Sequence, residues 1–126
     1  MPRPAVALRT LIAIHFVWTF LLTPIAFEPR PFSSFTVLGF GSLALIFTTV
    51  ALDIAAFVLA TRRPRTAGLA ASIGAVLFIP AFLIDRAGLF SSESAPATIV
   101  ILEAAALVTQ VLILWSGYRL RTAKGS

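Results

Sequence analysis

Residues 48–63 read TTVALDIAAFVLATRR, and this stretch decides the fold. It is mostly apolar around Asp53, and it ends on the two arginines Arg62 and Arg63. Together with the apolar residues that precede it from Phe35, it exceeds the roughly 20 residues that a membrane span needs. The stretch therefore predicts a transmembrane helix with a basic end and a carboxyl group deep inside it.

The whole chain has a composition typical of membrane proteins. Of its 126 residues, 59% are hydrophobic and 12% are charged, whereas soluble domains average roughly 45–50% and about 25%. A chain this short cannot bury such an excess in a core of its own. The expected solvent is lipid, so the bilayer is the first partner that the sequence predicts.

Four segments are long and apolar enough to span a membrane. They cover residues 6–27, 35–60, 67–89 and 97–118, and short connections rich in Pro and Ser separate them. Helices satisfy their own backbone hydrogen bonds in lipid. We therefore expect an all-α integral membrane protein, a single domain over residues 1–126 with four transmembrane helices in a compact bundle. The first segment has one alternative interpretation, a cleaved signal peptide.

Basic residues predict the orientation of the spans, because cytoplasmic loops carry an excess of Lys and Arg. The residues that anchor this topology are Arg62, Arg63, Arg65, Arg119 and Arg121. Arg3, Arg9 and Lys124 fall on the same side of the predicted spans. We expect a multi-pass protein of the cell membrane with both termini in the cytoplasm. The basic residues lie at segment ends and form no clustered basic face, so no nucleic-acid partner is expected.

The residue types present exclude several kinds of chemistry. The chain has no cysteine and a single histidine, which excludes disulfides, thiolate sites and multi-histidine metal sites within one chain. No phosphate-binding glycine loop, nucleophile elbow or zinc motif occurs in the sequence. We therefore predict no cofactor, no metal and no catalytic residue, and enzyme action is disfavoured without being excluded.

Three polar residues are predicted to form one intramembrane layer. At about 1.5 Å of rise per residue, Asp53 lies roughly 12 Å from Thr61, and Gln110 lies a similar distance from Tyr118. His15 lies about 9 Å beyond Arg9. These depths place Asp53, His15 and Gln110 at one level on three different helices.

An Asp at the centre of a span costs roughly 2.5–3.5 kcal/mol on insertion scales, so a partner or a function is expected. One interpretation makes Asp53 a titratable proton or cation site with His15 and Gln110 as neighbours. The other makes it an interhelical hydrogen bond, to His15 or Thr19, that sets the packing register. A second candidate is an ion pair between Glu103 and Arg86 in the outer half. Asp85 and Arg86 are adjacent and cannot face each other on a helix, so each needs another partner.

Two classes of function follow from these features. The leading hypothesis is a non-enzymatic accessory or assembly subunit, which docks on a larger membrane complex or on a second copy of itself. The alternative is a compact transporter or channel, coupled to protons or ions, in which Asp53 lines the path of a small solute. A bilayer-embedded enzyme that acts on an apolar substrate with Asp53 and Glu103 as acid and base is a more distant alternative.

Overall fold

The computed structural model describes residues 3–122, and the predicted anchor Lys124 lies outside this range. Within this range most residues are helical, in four long helices. They are α1 (Arg3–Leu21), α2 (Val37–Leu59), α3 (Pro64–Arg86) and α4 (Ala97–Thr122). All four are long and apolar enough to cross a membrane. The prediction of an all-helical protein with four apolar helices is confirmed.

The first helix is shorter than the sequence predicts, because it ends at Leu21 and the predicted span ran to Phe27. The reason is Pro24, since the residue before a proline is biased away from helical backbone. A turn replaces the last part of the span, and the carbonyl oxygen of Thr23 accepts hydrogen bonds from the backbone N–H groups of Ala26, Phe27 and Glu28. The other three predicted spans differ from α2, α3 and α4 only at their ends.

Helix packing leaves one side of the bundle open. α3 packs extensively on both α2 and α4, and α1 packs on α4, but α1 and α2 touch only slightly. The Trp18 indole N–H donates to Thr109 Oγ1 at 3.0 Å, which ties α1 to α4. The weakly packed pair, α1 and α2, leaves a gap between them.

Helices α3 and α4 approach each other closely at the end of the bundle that holds the α2–α3 turn. Small residues dominate there, because they let helix backbones approach closely. A Cβ atom on Gly68 of α3 would collide with the backbone of Gly117 on α4, and the reverse is also true. The buried core of this end consists of Ala5, Leu8, Ile12, Ala56, Ala60, Ala67, Ala71, Ile113 and Leu120.

A structured cap closes the opposite end; we use this name for residues 22–36 and 87–96, the two longer connections. The Thr36 N–H donates to the Phe90 carbonyl at 3.0 Å, and the Ser92 N–H donates to the Ser34 carbonyl at 2.8 Å. The hydroxyl oxygens of Ser34 and Ser91 are 2.7 Å apart. Thr36 also caps α2, because its Oγ1 accepts the Gly39 N–H at 2.9 Å. These bonds hold the two connections together over the ends of the helices.

Candidate functional site

Glu28 and Arg30 are placed side by side by the prolines that follow them. The sequence of this part of the cap is Glu28-Pro29-Arg30-Pro31. Because a residue before a proline favours extended backbone, both Glu28 and Arg30 are driven to that conformation. Side chains two apart in extended backbone point to the same side. Arg30 Nε and Nη2 accordingly donate to Glu28 Oε1 at 2.8 Å and Glu28 Oε2 at 2.9 Å.

Arg30 also binds the end of α3. Its Nη1 and Nη2 donate to Asp85 Oδ1 and Oδ2, each at 2.9 Å, which is the two-pronged geometry of a strong arginine–carboxylate pair. The Arg30 side chain is only 4% exposed, and its guanidinium also lies 4.9 Å from the ring centroid of Phe90. The cap is therefore held to α3 by a buried, hydrogen-bonded ion pair.

The charge of Arg30 is secured by these partners. Burial alone would lower the pKa of its guanidinium, but the hydrogen bonds to Asp85 and Glu28, and the negative charges of those two groups, raise the pKa above its ordinary value. Arg30 is therefore a permanent cation at the centre of the cluster.

Glu103 of α4 completes the cluster without a hydrogen bond to either arginine. Its Oε1 lies 3.7 Å from Arg30 Nη2, and its Oε2 lies 3.5 Å from Arg86 Nε. Within residues 3–122, the buried Oε2 has no hydrogen-bond partner. We call Glu28, Arg30, Asp85, Arg86 and Glu103 the charged cluster. It contains three carboxylates and two guanidiniums.

An apolar cleft ends on this cluster. It is a cavity of about 290 Å³ in the gap between α1 and α2, in the half of the bundle nearer the cap. Its walls are mainly aliphatic and aromatic, and they include Leu22, Leu43, Ile46, Phe47, Phe78 and Phe82. Glu28, Arg30, Asp85 and Glu103 also line it. Ile25 and Phe47 at its edge are 91% and 68% exposed, so the cleft reaches the surface of the bundle.

Two of the three residues of the predicted polar layer are hydrogen-bonded to each other in the structure. Gln110 Nε2 donates to Asp53 Oδ2 at 3.0 Å, and both residues are buried, so α4 and α2 meet through this bond. His15 is fully buried too, but its ring packs edge-to-face on Phe78 with centroids 5.4 Å apart. Among residues 3–122, four buried atoms of this region have no hydrogen-bond partner: Asp53 Oδ1, Gln110 Oε1 and both ring nitrogens of His15.

The other predicted site residues lie at both ends of the bundle. Arg86 and Glu103 are near each other, and Arg86 is part of the cluster at the cap. The predicted topology anchors Arg62, Arg63, Arg65, Arg119 and Arg121 are all exposed at the end opposite the cap. At that end Arg9 stacks on Phe57 at 4.2 Å.

Sequence reasoning missed Glu28 and Arg30 as site residues. The signal that could have found them is the alternation of charged residues and prolines at 28–31, because it aligns two opposite charges on one side of the backbone. The prediction that Asp85 and Arg86 each need another partner also indicates a charged site at this end of α3. Asp85 pairs with Arg30, and Arg86 lies beside Glu103.

The chain has no significant match among protein-family models, curated proteins or solved structures.

Proposed function

We propose that this chain is a small multi-pass membrane protein that binds an amphiphilic molecule from the bilayer, through the cleft between α1 and α2. The observation that carries the proposal is the continuity of the apolar cleft with the buried charged cluster. An amphiphile has the same two parts, an apolar body and a polar head. The cleft binds the apolar body, and the charged cluster binds the polar head.

The size and lining of the cleft suit such a ligand. Small-molecule sites measure about 300–1,000 Å³ and combine apolar walls with a few placed polar groups. At about 290 Å³ the cleft lies just below this range, which favours a single alkyl chain or a small ring system. Entry between α1 and α2 needs no movement of the tightly packed α3, since those two helices already touch only slightly.

The orientation proposed from the sequence places this site in the outer half of the cell membrane. The exposed arginines at the α2–α3 turn and in the last turn of α4 favour the cytoplasmic side, by the positive-inside rule. Both termini are then cytoplasmic, and the cap faces outwards. The ligand would enter from the outer leaflet.

The sequence-based hypothesis of an accessory subunit, in a larger complex or a homo-oligomer, stays a prediction, and an amphiphile-binding subunit is one form of it. A second candidate function is the proton- or ion-coupled transporter. It is favoured by the unpartnered atoms of Asp53, Gln110 and His15 within the described chain. Proton flux in proteoliposomes that Asp53→Asn abolishes would support it, and unchanged flux would contradict it.

The amphiphile proposal is tested by saturable binding. The purified protein in nanodiscs is titrated with tritiated dodecanol, and bound probe is counted by scintillation proximity against empty nanodiscs. Ile46→Trp fills the cleft and should lower the affinity about tenfold or more, equivalent to about 1.4 kcal/mol. Val76→Trp is the matched control, because Val76 lies on α3 outside the cleft and is exposed. No saturable binding to the wild-type protein, or equal binding to both variants, would overturn the proposal.

A further inference from the structure

The charged cluster carries one more negative charge than it can neutralise. Glu28, Asp85 and Glu103 supply three carboxylates, and Arg30 and Arg86 supply two guanidiniums. Glu93, which lines a second cavity together with Arg30, Asp85 and Arg86, is exposed and acidic as well, so it does not neutralise the cluster. An unneutralised charge in a buried site is costly, so the cluster has to take up a proton or another cation.

The geometry assigns the excess negative charge of the cluster to Glu103. An arginine has five N–H donors, and both hydrogens of Arg30 Nη2 are used by Glu28 Oε2 and Asp85 Oδ2 at 2.9 Å. Glu103 Oε1, at 3.7 Å from the same nitrogen, is beyond hydrogen-bond distance. Across the described part of the chain, no group donates a hydrogen bond to Glu103 Oε2, although its side chain is 90% buried. The Glu103 carboxyl also lies against that of Asp85, and two carboxyl groups can form a hydrogen bond only when they share a proton.

The surroundings of Glu103 suit a cation with an apolar body. Glu103 lines the cleft, and so do Phe78, Phe82 and Phe90. Aromatic faces attract cations, and Arg30 already uses the ring of Phe90 in this way at 4.9 Å. A cationic head at this end of the cleft would meet a carboxylate and aromatic rings, and its tail would lie along aliphatic walls.

We propose that the ligand of the cleft is an amphiphilic cation whose charged head lies beside Glu103. The inference rests on the proposed function and gives the chemical class of the ligand. The cation takes the place of the proton that otherwise neutralises the cluster, so binding releases one proton. The affinity for the cation therefore rises with pH until the proton is lost from the unliganded protein as well.

Probes with the same alkyl chain and different heads test this inference. Dodecyltrimethylammonium, dodecanol and dodecyl sulfate are compared in nanodiscs below their micelle concentrations, and none of them titrates near neutral pH. We expect the wild-type protein to bind the ammonium about tenfold more tightly than dodecanol, equivalent to about 1.4 kcal/mol. Dodecyl sulfate should bind most weakly.

Two variants are expected to move the ammonium affinity in opposite directions. Glu103→Gln should reduce it to the level of dodecanol and remove its pH dependence, while dodecanol still binds and so reports an intact cleft. Arg86→Gln removes a neighbouring cation and should tighten ammonium binding, which a misfolded protein would not do. Glu93→Gln is the matched control, since it makes the same charge change at an exposed position.

Equal affinity of the wild-type protein for the ammonium and dodecanol would overturn the cation inference and leave the amphiphile site standing. Unchanged ammonium binding in Glu103→Gln would also overturn the cation inference alone. If no probe binds saturably, both proposals fail.

Discussion

Arg30 and Asp85 lie 55 positions apart in the chain and form a two-pronged ion pair with both N···O distances at 2.9 Å. This pair joins the first connection of the cap to the end of α3. It also forms part of the polar end of the cleft, so the same contact that stabilises the cap shapes the candidate site.

Arg30→Ala should destabilise the protein severely. The change leaves Glu28 and Asp85 buried without their cation, and breaking one partner of a buried pair typically costs about 3–5 kcal/mol. Thermal unfolding in detergent, followed by the fluorescence of Trp18 and Trp115, is the measurement. Arg62→Ala is the control, because Arg62 is exposed at the far end of the bundle.

A double variant separates lost charge from lost packing. Adding Asp85→Asn to Arg30→Ala removes one of the stranded negative charges, so it should recover part of the lost Tm. If the double variant unfolds at a lower temperature than Arg30→Ala alone, the electrostatic explanation is wrong.

Gly39→Ala should open the cap, whereas Gly41→Ala should not. A Cβ atom at Gly39 would collide with the backbone carbonyl of Phe90, but at Gly41 it would meet open space. Overpacking lowers the free energy of unfolding by about 1–3 kcal/mol. At Gly39 it would disturb the contact between Thr36 and Phe90 that joins the two connections. We expect a lower Tm and weaker dodecanol binding for Gly39→Ala. Equal behaviour of the two variants would contradict the close approach of α2 to the cap.

Helix content and cap geometry differ in how far the sequence predicts them. Segment length and hydropathy predict four helices, because each segment by itself is long and apolar enough to span a membrane. The cluster depends on Arg30 meeting Asp85 and Glu103, which belong to other elements, and no local pattern encodes those distances. Depth matching puts Asp53, Gln110 and His15 at one level, but it cannot tell which side each helix presents. The structure joins Asp53 to Gln110 and packs His15 on Phe78.

The topology is testable by single-cysteine labelling, since the natural chain has no cysteine to remove. Ser33→Cys lies in the cap and Thr61→Cys lies at the α2–α3 turn, and both positions are exposed. With the cap outside, a membrane-impermeant maleimide should label position 33 in intact cells and position 61 only after the cells are opened. The reverse pattern would place the termini outside and the cleft in the inner half of the membrane.

The Asp53–Gln110 contact predicts opposite results for two substitutions at position 53. An Asn there can accept from Gln110 Nε2 through its Oδ1 and donate through its amide to Gln110 Oε1, which within residues 3–122 lacks a hydrogen-bond partner. Asp53→Asn should therefore keep or raise the Tm. Asp53→Ala leaves the buried Gln110 amide without its acceptor, which should lower the free energy of unfolding by about 1–3 kcal/mol.

These two substitutions also separate the interpretations of Asp53. If Asp53 only sets the packing register, Asp53→Asn keeps both the fold and whatever activity the protein shows. If Asp53 carries a proton, Asp53→Asn keeps the fold and abolishes proton flux, because an amide does not titrate. Unfolding followed by tryptophan fluorescence and flux in proteoliposomes, measured on the same preparations, tell these outcomes apart. A marked loss of stability in Asp53→Asn would contradict the amide pairing on which both expectations rest.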